Sequence, residues 1–213
     1  MGAPDRVADR RVGDEHPRSD DVAGGPAKLP DSRENDGETT PRLGGRVARL
    51  LADAGIPLRL LVRDPSRAPG LPGATVHVAP YADAGAATGA LAGVDVLFMV
   101  SATESEDRRA EHETFVATAA RAGVRHVVYT SFLGASPAAT FTLARDHYAT
   151  ERMLAQSGLA TTMLRDNFYQ DVFPLFAGAD GVLRGPGGDG RVSAVARDDV
   201  AACAAVVLAQ SAT

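Results

Sequence analysis

The chain has 213 residues, of which 45% are hydrophobic, 23% charged and 5% aromatic, and its net charge is −5. These values suit one globular domain, the single cysteine excludes a disulfide scaffold, and the longest strongly apolar run, residues 96–100, is far too short to cross a membrane. The acidic balance gives no reason to expect a nucleic-acid partner, and the absence of an apolar stretch after the first residues predicts no secretory signal and a cytoplasmic protein.

Residues 1–42 differ in composition from the rest of the chain. They hold 7 of the 22 basic residues, including the only lysine, Lys28, and 10 of the 27 acidic residues. Their large apolar residues are isolated, so burial cannot offset a backbone ordering cost of about 1–2 kcal/mol per residue. We expect a disordered polar arm over 1–42, or a loosely draped one, and a domain over 43–213 that cannot use a lysine in catalysis.

From residue 43 onward, predicted helices and strands alternate. Helical spacing and terminal glycines predict helices around 47–54 and over 84–91, 106–122, 143–156 and 198–209. Short apolar runs predict strands over 58–62, 75–78, 94–100, 126–130 and 160–164. This alternation is typical of a parallel sheet covered on both faces, so we predict an α/β, Rossmann-like doubly wound fold.

Individual side chains can also be placed from these patterns. The inward side of the first helix is predicted to carry Val47, Leu50, Leu51 and Ala54. His112 lies on an apolar helix face and is predicted to be a core histidine, and Cys203, in an Ala-rich helix, is predicted to be a small core residue. Ligands of doubly wound sheets bind beyond the C-terminal ends of the strands, so the residues that follow the strands are the candidates for a site.

Seven segments, in order along the chain, resemble the NmrA-like, atypical short-chain dehydrogenase/reductase family, and most of all its NAD(P)H:quinone oxidoreductase-like branch. They cover nearly all of residues 43–213 and are LGGRVARLLADAG (43–55), LLVRDPSRA (60–68), LAGVDVLFMVSA (91–102), AARAGVRHVVYTSFLGA (119–135), ARDHYATERMLAQSGL (144–159), MLRDNFYQD (163–171) and RVSAVARDDVAA (191–202).

The resemblance implies hydride transfer from a bound nicotinamide dinucleotide. The positions that it assigns to the cofactor are Gly44, Arg63, Tyr81, Ser101, Ala102, Thr130 and His147. Arg63 follows the strand 58–62, where an acidic residue would accept the ribose hydroxyls of NAD, and Arg67 lies near enough to assist it. A guanidinium suits a 2′-phosphate instead, so NADP(H) is expected to be preferred over NAD(H); a solvated loop arginine is the alternative.

The resemblance also implies the catalytic residues. In ordinary short-chain dehydrogenases a serine at the position of Ser131 orients the carbonyl, and a Tyr-x-x-x-Lys pair supplies the proton. Alignment on Glu151 puts His147 at the lysine position and Leu143 at the tyrosine position, so the usual pair is absent. His147 is expected to bind the nicotinamide ribose or to donate a proton, because imidazole titrates near neutrality; a helix-surface histidine is the alternative.

The acceptor side is expected to involve Asn167, Phe168 and Tyr169, since an aromatic wall suits a flat molecule; packing at the rim of the core is the alternative. A quinone fits the missing proton donor better than a ketone, because solvent can protonate a stabilised quinol anion. We therefore expect an NAD(P)H-dependent oxidoreductase acting on a quinone-like or small carbonyl acceptor, without a metal and with a homodimer possible. The alternatives are a non-catalytic NAD(P)-sensing module and a remnant unable to bind the cofactor.

The N-terminal side departs from the family. The family opens with an apolar strand that runs into Gly-x-x-Gly-x-x-Gly, whereas Glu38 and Pro41 occupy the first two glycine positions here and the preceding residues are polar. We expect the first, central strand and its Gly-rich turn to be missing or degenerate, which would leave the strands 58–62 and 94–100 each with an unpaired edge. The N-terminus is thus expected to be altered or mis-specified, as by a shifted frame or start codon, and the C-terminus shortened.

Overall fold

The structure, a computed structural model, describes residues 42–185 and 187–211, so the predicted arm lies outside the described residues except for Arg42. Within these ranges the helices are α1 (Leu43–Asp53), α2 (Ala84–Leu91), α3 (Arg108–Arg121), α4 (Thr142–Gln156) and α5 (Arg197–Ser211). The strands are β1 (Leu58–Val62), β2 (Ala74–Val78), β3 (Val96–Met99), β4 (His126–Phe132) and β5 (Ala160–Asp166). Two 3-10 helices span Pro65–Arg67 and Gln170–Phe176. The predicted order of helices and strands is confirmed.

All the strand pairs are parallel, as predicted. β1 pairs with β2, and β4 lies between β3 and β5 in a second sheet. In the described part of the chain, β1 pairs only with β2 and β3 pairs only with β4. The expected degenerate first strand and Gly-rich turn fall on residues outside those described, so this expectation stays a prediction.

Helices cover both faces of the β3–β4–β5 sheet, which confirms the doubly wound arrangement. Successive residues of β4 alternate between two cores, with Val127 and Tyr129 in one and Val128 in the other. The first core contains buried residues of α2, α3 and α4, and the second contains buried residues of α1 and α5. The sheet therefore separates two cores, with α2, α3 and α4 packed on one face and α1 and α5 on the other.

Three predicted core placements are wrong. Leu50 is 42% exposed and Ala54 is exposed, because α1 packs against α5 through Leu43, Val47 and Leu51 and ends before Ala54. Cys203 is also exposed. The reason is that α5 is rich in alanine and valine on every side, so its composition does not show which side packs inwards; the buried side is Val200, Ala201, Ala204 and Leu208.

β4 and β5 each extend two residues further at their C-terminal ends than predicted, and this moves candidate site residues into the sheet. β4 continues through Ser131 to Phe132, and β5 continues through Arg165 to Asp166. Ser131 and Arg165 are therefore paired neighbours inside the sheet instead of loop residues that follow it. Their side chains are held in the fixed directions that a pleated strand imposes.

Candidate functional site

The C-terminal ends of β3, β4 and β5 meet at one edge of the sheet, and the residues there are hydrogen-bonded to one another. The Ser101 amide donates to Thr130 Oγ1 over 2.8 Å, which joins the segment after β3 to the end of β4. The Leu133 amide donates to the Asp166 carbonyl over 2.6 Å, which joins β4 to β5. Two predicted cofactor residues, Ser101 and Thr130, are thus in direct contact.

Ala102, another predicted cofactor residue, is held from both sides by α3. Its amide donates to His112 Nε2 over 2.9 Å, and its carbonyl accepts from Arg108 Nε over 2.8 Å. His112 is fully buried, as predicted for a core histidine, and its Nδ1 lies 2.8 Å from Thr150 Oγ1. Burial, reinforced by the charge of Arg108, lowers the pKa of His112 to about 3, so its ring is neutral at pH 7.

His147 lies inside the domain and not on the helix surface, since only 7% of it is exposed. Its Nδ1 is 3.0 Å from the Tyr129 hydroxyl, and its Nε2 is 3.3 Å from Arg108 Nη2. Burial and the Arg108 charge lower the pKa of His147 to about 4. Both burial and an adjacent cation disfavour the imidazolium, so this ring differs from an ordinary imidazole; the roles expected for His147 stay predictions.

Ser131 is fully buried and donates its hydroxyl to Glu151 Oε1 over 2.6 Å. The same carboxylate receives two bonds from Arg165, from Nε at 2.8 Å and from Nη2 at 2.6 Å. Despite the opposing effect of burial, the bonds from Arg165 and Ser131 keep the pKa of Glu151 below its ordinary value. Ser131 is therefore hydrogen-bonded to the Glu151–Arg165 ion pair, a contact that its position in the sequence does not predict.

The three residues predicted for the acceptor side, Asn167, Phe168 and Tyr169, have different surroundings in the structure. Phe168 contacts Phe132 and Phe141, with ring centroids 5.5 and 5.4 Å away, and these two rings are 5.5 Å apart. We call Phe132, Phe141 and Phe168 the aromatic cluster. It adjoins His147, whose ring stacks on Phe132 with centroids 6.0 Å apart. Phe132 lies just after the predicted strand 126–130, among the candidate positions, but no role was assigned to it, and Phe141 was not predicted.

Asn167 and Tyr169 do not belong to the aromatic cluster. Asn167 Oδ1 accepts from the Phe168 amide over 2.8 Å, so this side chain supports the backbone. Tyr169 donates its hydroxyl to Asp166 Oδ2 over 2.6 Å and packs in the α1–α5 core, with Arg197 4.8 Å above its ring. The aromatic wall therefore consists of side chains from β4, the start of α4 and the segment after β5, instead of one tripeptide.

The remaining cofactor candidates lie towards β1 and the start of α1. Arg63 follows β1 directly and is exposed, while the adjacent Asp64 accepts the amide and hydroxyl of Ser66 over 2.9 and 2.7 Å. Gly44 lies in the first turn of α1, where a Cβ would be 3.6 Å from Val100 Cγ2, so this turn touches the end of β3. Tyr81 donates its hydroxyl to the Val100 carbonyl over 2.8 Å.

A cavity of about 280 Å³ opens between β5 and α5 and is lined by Met163, Leu164, Arg165, Asp166, Val200 and Cys203. Burial raises the pKa of Asp166 to about 6, although the bond from Tyr169 opposes this shift.

Residues 42–185 and 187–211 contain no group of three or more His, Cys, Asp or Glu side chains that could hold a metal ion. None of the helices described in those ranges is long and apolar enough to cross a membrane.

The Asp166 carboxyl leads to a prediction about stability. The folded pKa of about 6 lies above the usual 3.8, so the folded form keeps a proton that the unfolded chain loses, and stability falls as pH rises from about 4 to 6. Asp166→Asn removes the buried charge and keeps an acceptor for Tyr169. We expect it to raise the free energy of unfolding at pH 8 by about 1–2 kcal/mol.

Urea unfolding at pH 8 and pH 4 measures this effect, which should be much smaller at the lower pH. The exposed Asp189 supplies the control, because Asp189→Asn makes the same chemical change on the surface. A gain from Asp166→Asn of the same size at both pH values would contradict the prediction.

Comparisons with known proteins agree with this arrangement. A family model described as NAD(P)H-binding matches residues 40–211. Quinone oxidoreductase 2 of Escherichia coli (strain K12) is 38% identical over 156 residues, which cover 71% of this chain and 54% of that protein. NAD(P)H azoreductase of Xenophilus azovorans is 30% identical over 174 residues, which cover 79% of this chain and 60% of that protein.

Solved structures show the same relationship. An NADPH-dependent quinone oxidoreductase from Escherichia coli, complexed with NADPH, superposes with a TM-score of 0.71 at 36% identity, covering 79% of this chain and 62% of that one. The triphenylmethane reductase of Citrobacter sp., complexed with NADP(H), gives a TM-score of 0.70 at 29% identity with the same coverage, 79% and 62%. The chain spans between half and two thirds of the length of these relatives.

Proposed function

The chain belongs to the NAD(P)H-binding family of Rossmann-like proteins, and from this membership we propose that it transfers a hydride from NADPH to a flat, quinone-like acceptor. The membership confirms the resemblance seen in residues 43–213. The acceptor, the preference for NADPH and the roles of individual residues are the parts that we propose.

The observation that carries the proposal is the aromatic cluster beside His147. Its three rings lie within 5.4 to 5.5 Å of one another, and Phe168 is 36% exposed, so a planar molecule can stack against its free surface. The cluster adjoins the strand ends to which the family resemblance assigns the nicotinamide. Among the relatives, one is named for a quinone and one is named an azoreductase, and quinones and azo groups are planar and conjugated, which supports a flat acceptor.

The residues at the strand ends fit a dinucleotide. NAD(P)H supplies the hydride when it is bound. The amide groups and the dipole at the start of α1 would favour a pyrophosphate, and no acidic residue of the first turn opposes this; Gly44 lies in this turn and faces Val100. Arg63 is exposed beyond β1 and would pair with a ribose 2′-phosphate. Ser101 and Ala102 follow β3, and their amides are held by Thr130 and His112.

The titratable side chains beside the aromatic cluster favour a quinone over a ketone. His147 is neutral at pH 7, and burial raises the pKa of Tyr129 to about 12, so that its hydroxyl keeps its proton. Neither group is a strong acid near neutrality. A quinol anion needs no such acid, because it is stabilised by its ring and takes its proton from water.

Phe168→Ala tests the acceptor site. Loss of one stacking ring is expected to raise the KM for a simple benzoquinone about 2- to 10-fold, since an aromatic pair is worth about 0.5–1.5 kcal/mol, and to leave the Kd for NADPH unchanged. Steady-state oxidation of NADPH gives the KM, and fluorescence titration gives the Kd. The control is Phe176→Ala, which removes a ring that is 41% exposed on the 3-10 helix Gln170–Phe176.

The wild-type protein separates the alternatives in the same assays. Binding of NADPH without turnover of any quinone would indicate a sensing module. No binding at millimolar NADPH would indicate a remnant, and an unchanged KM in Phe168→Ala would remove the aromatic cluster from the acceptor site.

A further inference from the structure

Arg108 is the most deeply buried charged side chain of the described residues, with 2% of it exposed, yet its charge faces no closely paired carboxylate. The Asp146 Oδ2 atom lies 3.4 Å from Nη1, a long contact for an ion pair. The other guanidinium nitrogens bind neutral groups, because Nε donates to the Ala102 carbonyl and Nη2 lies 3.3 Å from His147 Nε2. Because a guanidinium can only donate, each group that it contacts must act as a hydrogen-bond acceptor.

These contacts determine which nitrogen of His147 carries the proton. A guanidinium has only donors, so Nε2 must accept from Arg108 and the proton of the neutral ring is on Nδ1, where it faces the Tyr129 hydroxyl. The same logic applies to His112. Its Nε2 accepts from the Ala102 amide, so its Nδ1 donates to Thr150.

We propose that Arg108 is a positioning residue of the cofactor site, which holds the Ala102 peptide in place and keeps His147 in its neutral, Nδ1-protonated form. The proposal rests on the proposed function, because Ala102 and His147 are the cofactor positions through which Arg108 would act. Arg108 is buried and contacts both residues, so it would act on the cofactor through them.

The other charged and titratable groups around His147 do not offset this cation. Glu151, on the same helix, favours the imidazolium, but its carboxylate is held by Arg165 and Ser131. Asp146, whose side chain is 16% exposed, lies against Arg108, and His112 is neutral. Tyr129, from β4, keeps its hydroxyl proton. The low pKa of His147 agrees with a local field that Arg108 and burial dominate.

Nitrogen NMR of the histidine rings tests the proposal without any cofactor. The chain has five histidines, and a His147→Gln variant assigns the His147 signals. In the wild type we expect the Nδ1-protonated neutral form down to pH 5. In Arg108→Gln the midpoint of the His147 titration should rise by about 1 pH unit or more. Arg109→Gln, the same change at the neighbouring exposed position, should behave as the wild type.

NADPH binding by the same variants tests the link to the cofactor. Arg108→Gln is expected to raise the Kd for NADPH about tenfold, the loss that removal of one hydrogen bond to a charged group gives, while Arg109→Gln leaves it unchanged. A Kd in Arg108→Gln equal to that of the wild type, with an altered His147 titration, would overturn the role of Arg108 in the cofactor site.

The remaining outcomes are also decisive. An Nε2-protonated ring in the wild type would overturn the proposal, because Arg108 cannot donate to a protonated nitrogen; this holds even if Arg108→Gln fails to fold. An unchanged His147 midpoint in folded Arg108→Gln would overturn it as well. If the wild type binds no NADPH, the proposed function and the cofactor role of Arg108 both fail, and the NMR result still shows whether Arg108 sets the state of His147.

Discussion

Arg63→Ala is expected to weaken the binding of NADPH by about 10- to 100-fold and to leave the binding of NADH nearly unchanged. The exposed guanidinium follows β1 directly and would donate to the 2′-phosphate that only NADPH carries. Hydrogen bonds between charged groups are worth about 1.5–3 kcal/mol, which gives this range of affinities. Fluorescence titration with both dinucleotides measures the two Kd values.

The control for this experiment is Arg49→Ala, which removes an exposed arginine from α1. It should change neither Kd, since Arg49 is exposed on α1 instead of following β1, and a solvated surface charge acts only through screened attraction. Equal losses of NADPH and NADH affinity in Arg63→Ala would refute the phosphate role and with it the proposed preference for NADPH.

Phe115→Ala is expected to lower the free energy of unfolding by about 3–5 kcal/mol, the usual cost of removing a buried aromatic ring. Phe115 is 1% exposed in the core between the sheet and α2, α3 and α4, and it stacks on Tyr81 with ring centroids 4.0 Å apart. Tyr81 in turn binds the Val100 carbonyl, so the cavity left by the ring would also loosen the end of β3.

Urea unfolding at neutral pH measures this loss, and Phe176→Ala again serves as the control, because deletion of a ring that is 41% exposed should cost far less. A loss below about 1.5 kcal/mol in Phe115→Ala, or one equal to that of Phe176→Ala, would mean that this core tolerates the cavity and would contradict its packed geometry.

The succession of helices and strands follows from local patterns, and prediction succeeds there for a physical reason. A short apolar run such as 126–130 indicates a buried strand, and a glycine such as Gly55, with a φ of +74°, marks the end of a helix, because both signals lie within a few residues of the chain. The burial of His112 was predictable in the same way, since its neighbours on the helix are apolar. The strand ends were less predictable, because pairing with β4 extends β5 to Asp166.

Prediction fails where a side chain's environment comes from distant residues. Leu50 and Cys203 are apolar or small, yet the packing of α1 on α5 leaves both exposed. Phe132 and Phe141 join Phe168 only because the ends of β4 and β5 and the start of α4 meet. No local pattern contains that proximity.

The type of fold follows from the order and spacing of residues along the chain, and the family from the resemblance of seven segments within residues 43–213. The state of His147 does not, because its pKa and its tautomer depend on burial and on Arg108, which is 39 residues away. Local spacing dictates secondary structure through backbone geometry, whereas electrostatics and desolvation act through space and are decided only when the folded chain brings distant side chains together.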